Sequence, residues 1–390
     1  MHIVFVSHEF AHPDLPDCGG IGHFLAEYCK RLVQKGHQVS VFGYSEKAFY
    51  GQYEGIDLYY RKTSMTPFHL FLERVFHKLK LSKFLIPFHA KDRINLANRV
   101  DAFCENQHVD LIELNDFFGD GAFLTTSTPK VLRTHGSYKL LHADLGFRDN
   151  KSFIFFEEKQ AKLADLIISV SEFSANRFTE LFDRQQDLKI VYNGVETKDI
   201  LKKAFPKISR LFYFGTLSHA KGSDRLVELC NALAQTFPDM EVAIAGKPAS
   251  YFEEDMLPKL SSKAQENVRF LGYLSKTEIE NEIDKSSYIF FPSRLENFSV
   301  ALLEAMSRGR VCIAWNIPSF VEIIKPNENG ILVNSIEDTI LNIKTLEENH
   351  TKRFELSEAA FDLIQNEFSK EKMVDLSLET YQDVIDLKNS

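Results

Sequence analysis

The chain reads as an α/β protein with two Rossmann-like domains facing a central cleft, and three observations lead there. Strand-like and helix-like hydrophobic patterns alternate from end to end, as parallel sheets with crossover helices require. At 390 residues the chain is too long for one ordinary core. A less regular, lysine-bearing stretch containing Pro206, Glu196 to Ile208, interrupts the pattern, which then restarts.

In the first half, apolar runs predict strands near 2–7, 38–43, 109–114, 130–134, 165–170 and 188–192. Helical periodicity covers Gly22 to Lys35, Asp92 to Asn106 and Glu172 to Phe182. Beyond the linker come strands Leu211–Phe214, Glu241–Ala245, Val268–Leu271 and Ile289–Phe291, with a helix over Ser223–Thr236. Ser369 to Leu387 reads as a long amphipathic helix. The expected boundaries are therefore 1–198 for the first domain, 199–368 for the second and 369–390 for the terminal helix. Ligands of such sheets bind outside the carboxyl ends of the strands, so both edges are expected to line the cleft.

Composition narrows the class. A formal net charge of −9 argues against general nucleic-acid binding, which needs a basic face. The 34 Phe read as core filling, and 44% hydrophobic with 26% charged residues fits a soluble globular chain. Five cysteines (Cys18, Cys29, Cys104, Cys230, Cys312), odd in number and never spaced C-x-x-C, predict a reduced chain without a structural zinc site. The run His2 to Ser7 opens the chain on a strand without a basic leader or apolar signal core, and no apolar run reaches a membrane-spanning length. A cytosolic protein is expected, peripheral to the inner face of the plasma membrane if it meets a membrane at all.

The stretch Phe290 to Trp315, FFPSRLENFSVALLEAMSRGRVCIAW, carries the most chemistry. A buried-strand run, Tyr288 to Phe291, breaks at Pro292; a polar loop follows, then a helix from about Ser299 to Arg308, then Gly309 and a second apolar strand. Glu296 falls in the loop, and Glu304 stands about one and a half turns inside the helix. The free N–H groups of Ser299, Val300 and Ala301 face the same space. A helix N-terminus at the carboxyl edge of a parallel sheet receives phosphate, and two carboxylates suit sugar hydroxyls. That combination suits a nucleotide sugar.

With Glu304, Ala305 and Met306 closing a Glu-x7-Glu segment, this string resembles the retaining glycosyltransferases of family four (glycosyl transferases group 1), which have the GT-B fold. The resemblance implies a metal-independent enzyme of the hexosyltransferase type, with a nucleotide-diphosphate sugar as substrate and no cofactor. It places Glu304 on the ribose hydroxyls, Glu296 on the sugar ring, and the turn at Ser299, Val300 and Ala301 on the diphosphate. It extends to Cys18-Gly-Gly-Ile-Gly22, whose Gly19 and Gly20 would contact donor phosphate or acceptor, although the dinucleotide spacing fails at Leu25. In Arg133-Thr-His-Gly136 it makes His135 a contact to the donor sugar, not a general base. Val170 to Ser174 and Val191 to Val195 match further segments of the same side.

In the second half, Phe214-Gly-Thr-Leu-Ser-His-Ala-Lys-Gly222 resembles the donor-diphosphate segment, with Gly215 and Thr216 in the turn. Lys221 would neutralise the leaving diphosphate. Gly246-Lys-Pro and Phe270 to Leu274 match segments framing the nucleotide, with Tyr273 placed to pack on a base; Asn329 to Val333 matches a closing strand. The chain departs from the pattern at Thr216, where relatives place an Arg, and at Asn297 and Ser299, where they often have Gly. Arg294, His219 or Arg133 could supply the second cation, and sequence leaves these open. No D-x-D pair stands in a metal-site context, and no metal ligands are assigned.

One region bears on the acceptor, expected to be a glycan or a lipid-linked molecule of surface polysaccharide or glycolipid assembly. Phe68, Phe71, Leu72, Val75, Phe76 and Leu79 share a helical face, and seven Lys or Arg lie between Arg74 and Arg99. Such a segment predicts contact between about Phe68 and Arg99 and an anionic membrane. Two other readings stay open: another GT-B enzyme, such as a sugar phosphorylase or nucleotide-sugar epimerase, and a non-catalytic partner subunit.

Overall fold

The computed structural model describes residues 1–183, 187–198, 200 and 204–389. It divides into two compact units, Met1–Val191 with Val374–Ser390, and Tyr192–Met373. Residues 199 and 201–203 of the expected linker, and with them the expected start of the second domain, lie outside the described residues. The two places where the chain passes between units run side by side in the second. Val195 donates to the Phe368 carbonyl and Lys370 to the Val195 carbonyl, each at 2.9 Å. Gly194 permits this, because a Cβ there would stand 2.3 Å from the Ser369 carbonyl.

The first unit runs β1 (His2–Val6), α1 (Gly20–Gln34), β2 (Gln38–Ser45), β3 (Phe49–Tyr53), β4 (Ile56–Lys62), α2 (Pro67–Lys78) and α3 (Ile86–Asn106). It continues β5 (Leu111–Asn115), β6 (Lys130–Thr134), α4 (Tyr138–Leu145), α5 (Lys151–Ala161), β7 (Leu166–Ser169), α6 (Glu172–Phe182) and β8 (Leu188–Ile190). Its strands are ordered β3-β4-β2-β1-β5-β6-β7-β8. All neighbours pair in parallel except β3 with β4. That hairpin was not foreseen: β3 is largely exposed and has no apolar run. Its turn, Glu54-Gly55, holds both residues at positive φ, the conformation two-residue hairpins favour.

The second unit runs β9 (Arg210–Phe214), α7 (Ser223–Thr236), β10 (Glu241–Ala245), α8 (Ser262–Asn267), β11 (Val268–Gly272), α9 (Lys276–Asp284) and β12 (Tyr288–Phe291). Then come α10 (Val300–Ser307), β13 (Val311–Trp315), α11 (Pro318–Val321), β14 (Ile331–Val333), α12 (Ile336–Glu348) and α13 (His350–Glu367). The last helix, α14 (Lys370–Asn389), enters the first unit from Val374 onward. The second sheet is ordered β11-β10-β9-β12-β13-β14 and is parallel throughout. Its winding reverses between β9 and β12, and the corresponding point in the first sheet lies between β1 and β5. Crevices outside the carboxyl ends of strands at such a reversal are where open α/β sheets bind ligands.

Helix α14 is anchored by a buried polar cluster. Arg133, fully buried, donates from Nε and Nη2 to Glu113 at 2.8 and 3.1 Å, and from Nη2 to Ser377 Oγ at 3.0 Å and Tyr381 OH at 3.3 Å. Arg133 therefore serves the packing of α14 in the first unit and leaves the choice of second donor cation to other residues.

Candidate active site

Three glycines shape the loops beyond β9, β10 and β12. A Cβ on Gly246, at φ +147°, would lie 1.8 Å from the Gly215 carbonyl oxygen, so the turns after β9 and β10 touch backbone to backbone. A Cβ on Gly222, at φ +71°, would lie 2.0 Å from the Pro292 carbonyl. The Lys221-Gly222 turn is thereby tucked against the end of β12, and Arg294 N donates to the Ala220 carbonyl at 2.9 Å. Lys221 Nζ then donates to both oxygens of Glu296, at 2.6 and 2.8 Å, and Ser293 Oγ donates to Oε1 at 2.8 Å. Glu296 is 12% exposed and Lys221 39%. Ammonium and carboxylate thus stand in the loops that follow the two strands flanking the winding reversal.

The loop after Glu296 closes on Ser299, whose hydroxyl caps α10 by accepting from Leu302 N at 3.3 Å. The helix begins at Val300, and Ser299 is its cap, not its first residue. Val300 is exposed and Ala301 half-buried in the first turn. Glu304 follows on the next turn, half-buried, its side chain making no hydrogen bond or ion pair among the described residues. Burial raises its pKa, Lys276 opposes that shift, and Glu280 adds to it. A desolvated carboxylate without a partner is an acceptor for hydroxyl donors.

The remaining expected donor residues are more scattered. Gly215 and Thr216 turn out of β9, with Thr216 exposed. Tyr273 is 73% exposed, with the Lys247 ammonium 4.8 Å from its ring centre. Arg294, one of the options for the second cation, is committed: it grips both oxygens of Asp224 and the His219 carbonyl. Sequence reasoning missed Ser293 and the Arg294–Asp224 pair. Asp224, in the first turn of the helix after Lys221, was the readable signal, since an acid there invites a cation.

In the first unit, His135 leaves β6 half-buried, with its ring edge-on to Phe24 at 4.6 Å. Phe24 lies on the helix that Gly19 caps and Gly20 opens, so this His and the glycine turn share one sheet edge. Burial, then Arg133, lowers the imidazole pKa to about 3, which keeps the ring neutral. The glycine turn is tied by Glu9, which accepts from Gly19 N at 3.2 Å and Gly22 N at 3.3 Å. The glycine that packing demands is Gly22, whose Cβ would stand 2.5 Å from Cys18 Sγ; a Cβ on Gly20 would meet nothing within 4 Å.

Two buried carboxyls, neither foreseen, hold the loop that carries His135. Asp116 accepts from His135 N at 2.8 Å and Gly136 N at 3.1 Å. Glu157 accepts from Tyr138 N at 2.7 Å, Lys139 N at 3.0 Å and Phe118 N at 3.1 Å. Burial pushes Asp116 up to about 7 and Glu157 to about 8, against the backbone hydrogen bonds. Between their ordinary values near 4 and these raised ones, the folded chain binds more protons than the unfolded chain, so stability falls as pH rises. The melting temperature should accordingly decline between about pH 6.5 and pH 8, above the range in which the depressed His135 and His89 pull the other way. Differential scanning calorimetry of Asp116→Asn should show a flatter decline than the parent; identical slopes would show that this group does not titrate as described.

Family models match the chain in two parts: residues 18–199 match Glycosyltransferase Family 4, and residues 197–362 match Glycosyl transferases group 1. Over 233 residues the chain is 27% identical to the GDP-mannose:cellobiosyl-diphosphopolyprenol alpha-mannosyltransferase of Xanthomonas campestris, with 58% of this chain and 60% of that one covered. The chain thus spans about 60% of the length of that curated relative. It is 22% identical to the N-acetyl-alpha-D-glucosaminyl L-malate synthase of Bacillus anthracis over 95% of each chain. Its fold is that of sucrose-phosphate synthase from Thermosynechococcus elongatus, at 15% identity, TM-score 0.77 and 99% coverage of both chains. Anabaena HepE in complex with UDP is also similar, at 17% identity, TM-score 0.68 and coverage of 98% and 100%. The paired sheets, the loops at their carboxyl edges and these matches agree, and the chain belongs to the glycosyl transferases group 1 family, with the GT-B fold.

Proposed function

We propose that the protein is a retaining, metal-independent glycosyltransferase that moves a sugar from a nucleotide-diphosphate donor to a glycan or lipid-linked acceptor. The observation that carries this reading is the pairing of Lys221 with Glu296 across the winding reversal of the second sheet, with Glu304 on the helix that follows the Glu296 loop. Lys221 and the N–H groups of Ser299, Val300 and Ala301 hold the diphosphate; cationic and dipolar groups aimed at developing charge lower the barrier to group transfer strongly. Glu304 accepts from the ribose hydroxyls and Glu296 from the transferred sugar. Gly215, Thr216, Gly246 and Tyr273 border the nucleotide. In the first unit, His135 contacts the sugar as a neutral ring, and Gly19 and Gly20 receive donor or acceptor. The acceptor hydroxyl loses its proton to the leaving phosphate, so no side chain is assigned as base.

Thermal shifts against uridine, guanosine, adenosine and thymidine diphosphates and their sugars, with chelator present, test the donor reading and its independence of metal. Glu304→Ala should weaken binding of the preferred donor by roughly 10- to 100-fold, the worth of one or two hydrogen bonds to a charged group. Unchanged affinity in calorimetry would remove Glu304 from the donor site. Consumption of the donor without any acceptor would favour an epimerase or phosphorylase.

Helix α2 supports a membrane-borne acceptor in surface polysaccharide or glycolipid assembly. None of its residues is buried; Phe68, Leu70 and Phe71 are at least half exposed, as is Leu79 just beyond it. Lys78, Lys80 and Lys83, all exposed, follow in the last turn of α2 and just beyond it. Leu72, Val75 and Phe76 turn inward and are half-buried. The rest of the basic stretch behaves otherwise. Helix α3 packs Leu96, Ala97 and Val100 in the core, and Arg93 is buried on the Phe118 and His89 carbonyls. The membrane contact is thus confined to α2 and the turn after it, with apolar insertion beside cations that attract anionic lipid. No helix among the described residues is long and apolar enough to cross a membrane. The chain should co-sediment with phosphatidylglycerol vesicles, and Phe68→Ser with Phe71→Ser should abolish it; equal recovery of parent and variant would exclude α2 as the contact.

A further inference from the structure

A cavity of about 340 Å³ lies in the first unit where β2 and β4 end and α3 passes over them. Tyr44 pairs with Arg61 and Ser45 with Lys62 in the parallel register, which puts both cations at the carboxyl edge of the sheet. Lys91 and Arg99 line the same cavity from α3, and Thr63 and Ser64 line it from the turn after β4. Four cations therefore share one concavity in a chain whose net charge is −9. The single acid in the lining, Asp92, is engaged: it accepts from the Thr63 hydroxyl and, at 2.7 Å, from Ser64 N. Arg61, Lys62 and Lys91 make no ion pair among the described residues.

Arg99 is held rigidly. Its Nη2 donates to the Tyr59 carbonyl at 2.9 Å, and its guanidinium lies 5.5 Å from the Phe42 ring centre and 5.8 Å from that of Tyr50. A fixed guanidinium with a second, exposed one and two ammonium groups beside it is an arrangement that repels itself until an anion enters. Guanidinium forks match phosphate oxygens in pairs, and ammonium groups add point charge. The Ser64 hydroxyl, in the turn at the sheet's carboxyl edge, adds a donor, while Asp92 keeps the Thr63 hydroxyl and Ser64 N. Multiple cations favour an anion with more than one charge over a lone carboxylate.

We propose that this cavity binds a phosphate or diphosphate ester group, and, resting on the glycosyltransferase reading above, that the group belongs to the acceptor. It lies on the same sheet edge as His135 and the Gly19–Gly20 turn, so an acceptor anchored here by its phosphate presents its sugar or alcohol end along that edge.

The test is calorimetric titration of the full chain with inorganic pyrophosphate, against a chain carrying Arg61→Gln and Lys91→Gln. Both also carry Lys221→Ala, which removes the ammonium assigned to the donor. The doubly neutralised chain should bind pyrophosphate at least 10-fold more weakly and lose affinity less steeply with added salt. Equal affinities, no pyrophosphate binding by the parent, or equally tight binding of malate would overturn the assignment to phosphate. Co-sedimentation with phosphatidylcholine vesicles doped with phosphatidic acid separates the sources. A difference between the chains on vesicles as well as in solution points to a membrane-borne phosphate, and a difference in solution alone to a soluble one. Both exposed positions tolerate Gln, which circular dichroism checks. Nucleotide-sugar binding by Arg61→Gln, Lys91→Gln with Lys221 intact should be unchanged, so the failure of this site and the failure of the donor reading are told apart.

Discussion

Lys221→Ala is expected to lower turnover by about 10²- to 10³-fold while changing donor affinity far less, because the ammonium acts most strongly on charge that appears as the bond to the diphosphate breaks. Two of the cations that could have replaced it are committed elsewhere. Thr216 is uncharged, Arg294 is held by Asp224, and Arg133 is locked on Glu113 in the core of the first unit. The same substitution leaves Glu296, 12% exposed, with Ser293 as its one side-chain hydrogen-bond partner among the described residues. Part of the loss would then come from a carboxylate that no longer holds its rotamer. Lys221→Arg separates the two effects. It keeps a positive charge for Glu296 but places it on a longer, planar fork, so stability should return while most of the rate does not. Single-turnover transfer with saturating donor measures the step, and a parental rate in Lys221→Ala would remove this residue from the chemistry.

Lys221 and Glu296 neutralise each other. On the proposed reading, an incoming diphosphate draws the ammonium away from both carboxylate oxygens and so releases Glu296 to accept from sugar hydroxyls. The two roles proposed for these residues are thereby linked: the donor frees its own hydroxyl acceptor as it engages its cation. A partly exposed pair of this kind is worth little by itself, so the exchange costs little when the diphosphate replaces the carboxylate.

The second unit was legible because its signals are local. Strands β9, β10, β12 and β13 are unbroken apolar runs, and each loop carries its glycine or proline where the backbone turns. Helix α7 falls on Ser223–Thr236, where the periodicity placed it. In the first unit the strongest features are long-range and left little trace. Arg133 read as a cleft residue because it precedes Thr-His-Gly, yet its partners lie on β5 and α14, 20 and 244 positions away. Asp116 and Glu157 stand far apart in sequence and meet only by clamping opposite ends of one short loop. The basic run from Arg74 to Arg99 looked like one amphipathic surface. Folding sends Arg93 inward, Lys91 and Arg99 to a cavity, and Lys78 to the exposed face of α2. Periodicity reports which face of a helix is apolar, not which neighbour will cover it.

Gly246→Ala should destabilise the second unit by about 2–6 kcal/mol, combining about 1–3 kcal/mol for a backbone conformation that only glycine populates with about 1–3 kcal/mol for overpacking. The backbone stands at φ +147°, and the new methyl would meet the Gly215 carbonyl oxygen at 1.8 Å, a backbone atom just beyond the end of β9. Relief requires the turn after β9 to move. That turn is bonded on both sides: Gly215 N donates to the Ala245 carbonyl and Leu217 N to the Lys247 carbonyl, each at 3.0 Å. Gly272→Ala is the control, because its φ of +70° is also unfavourable but a Cβ there meets nothing within 4 Å. It should cost only about 1–2 kcal/mol, the left-handed penalty alone. At about 2–4 °C per kcal/mol for a unit of this size, the two variants should melt well apart. Similar melting temperatures would mean that the contact between the turns after β9 and β10 is soft. Thr216 and Lys221 would then be carried on a mobile loop, and the rate of transfer, more than stability, would report the damage.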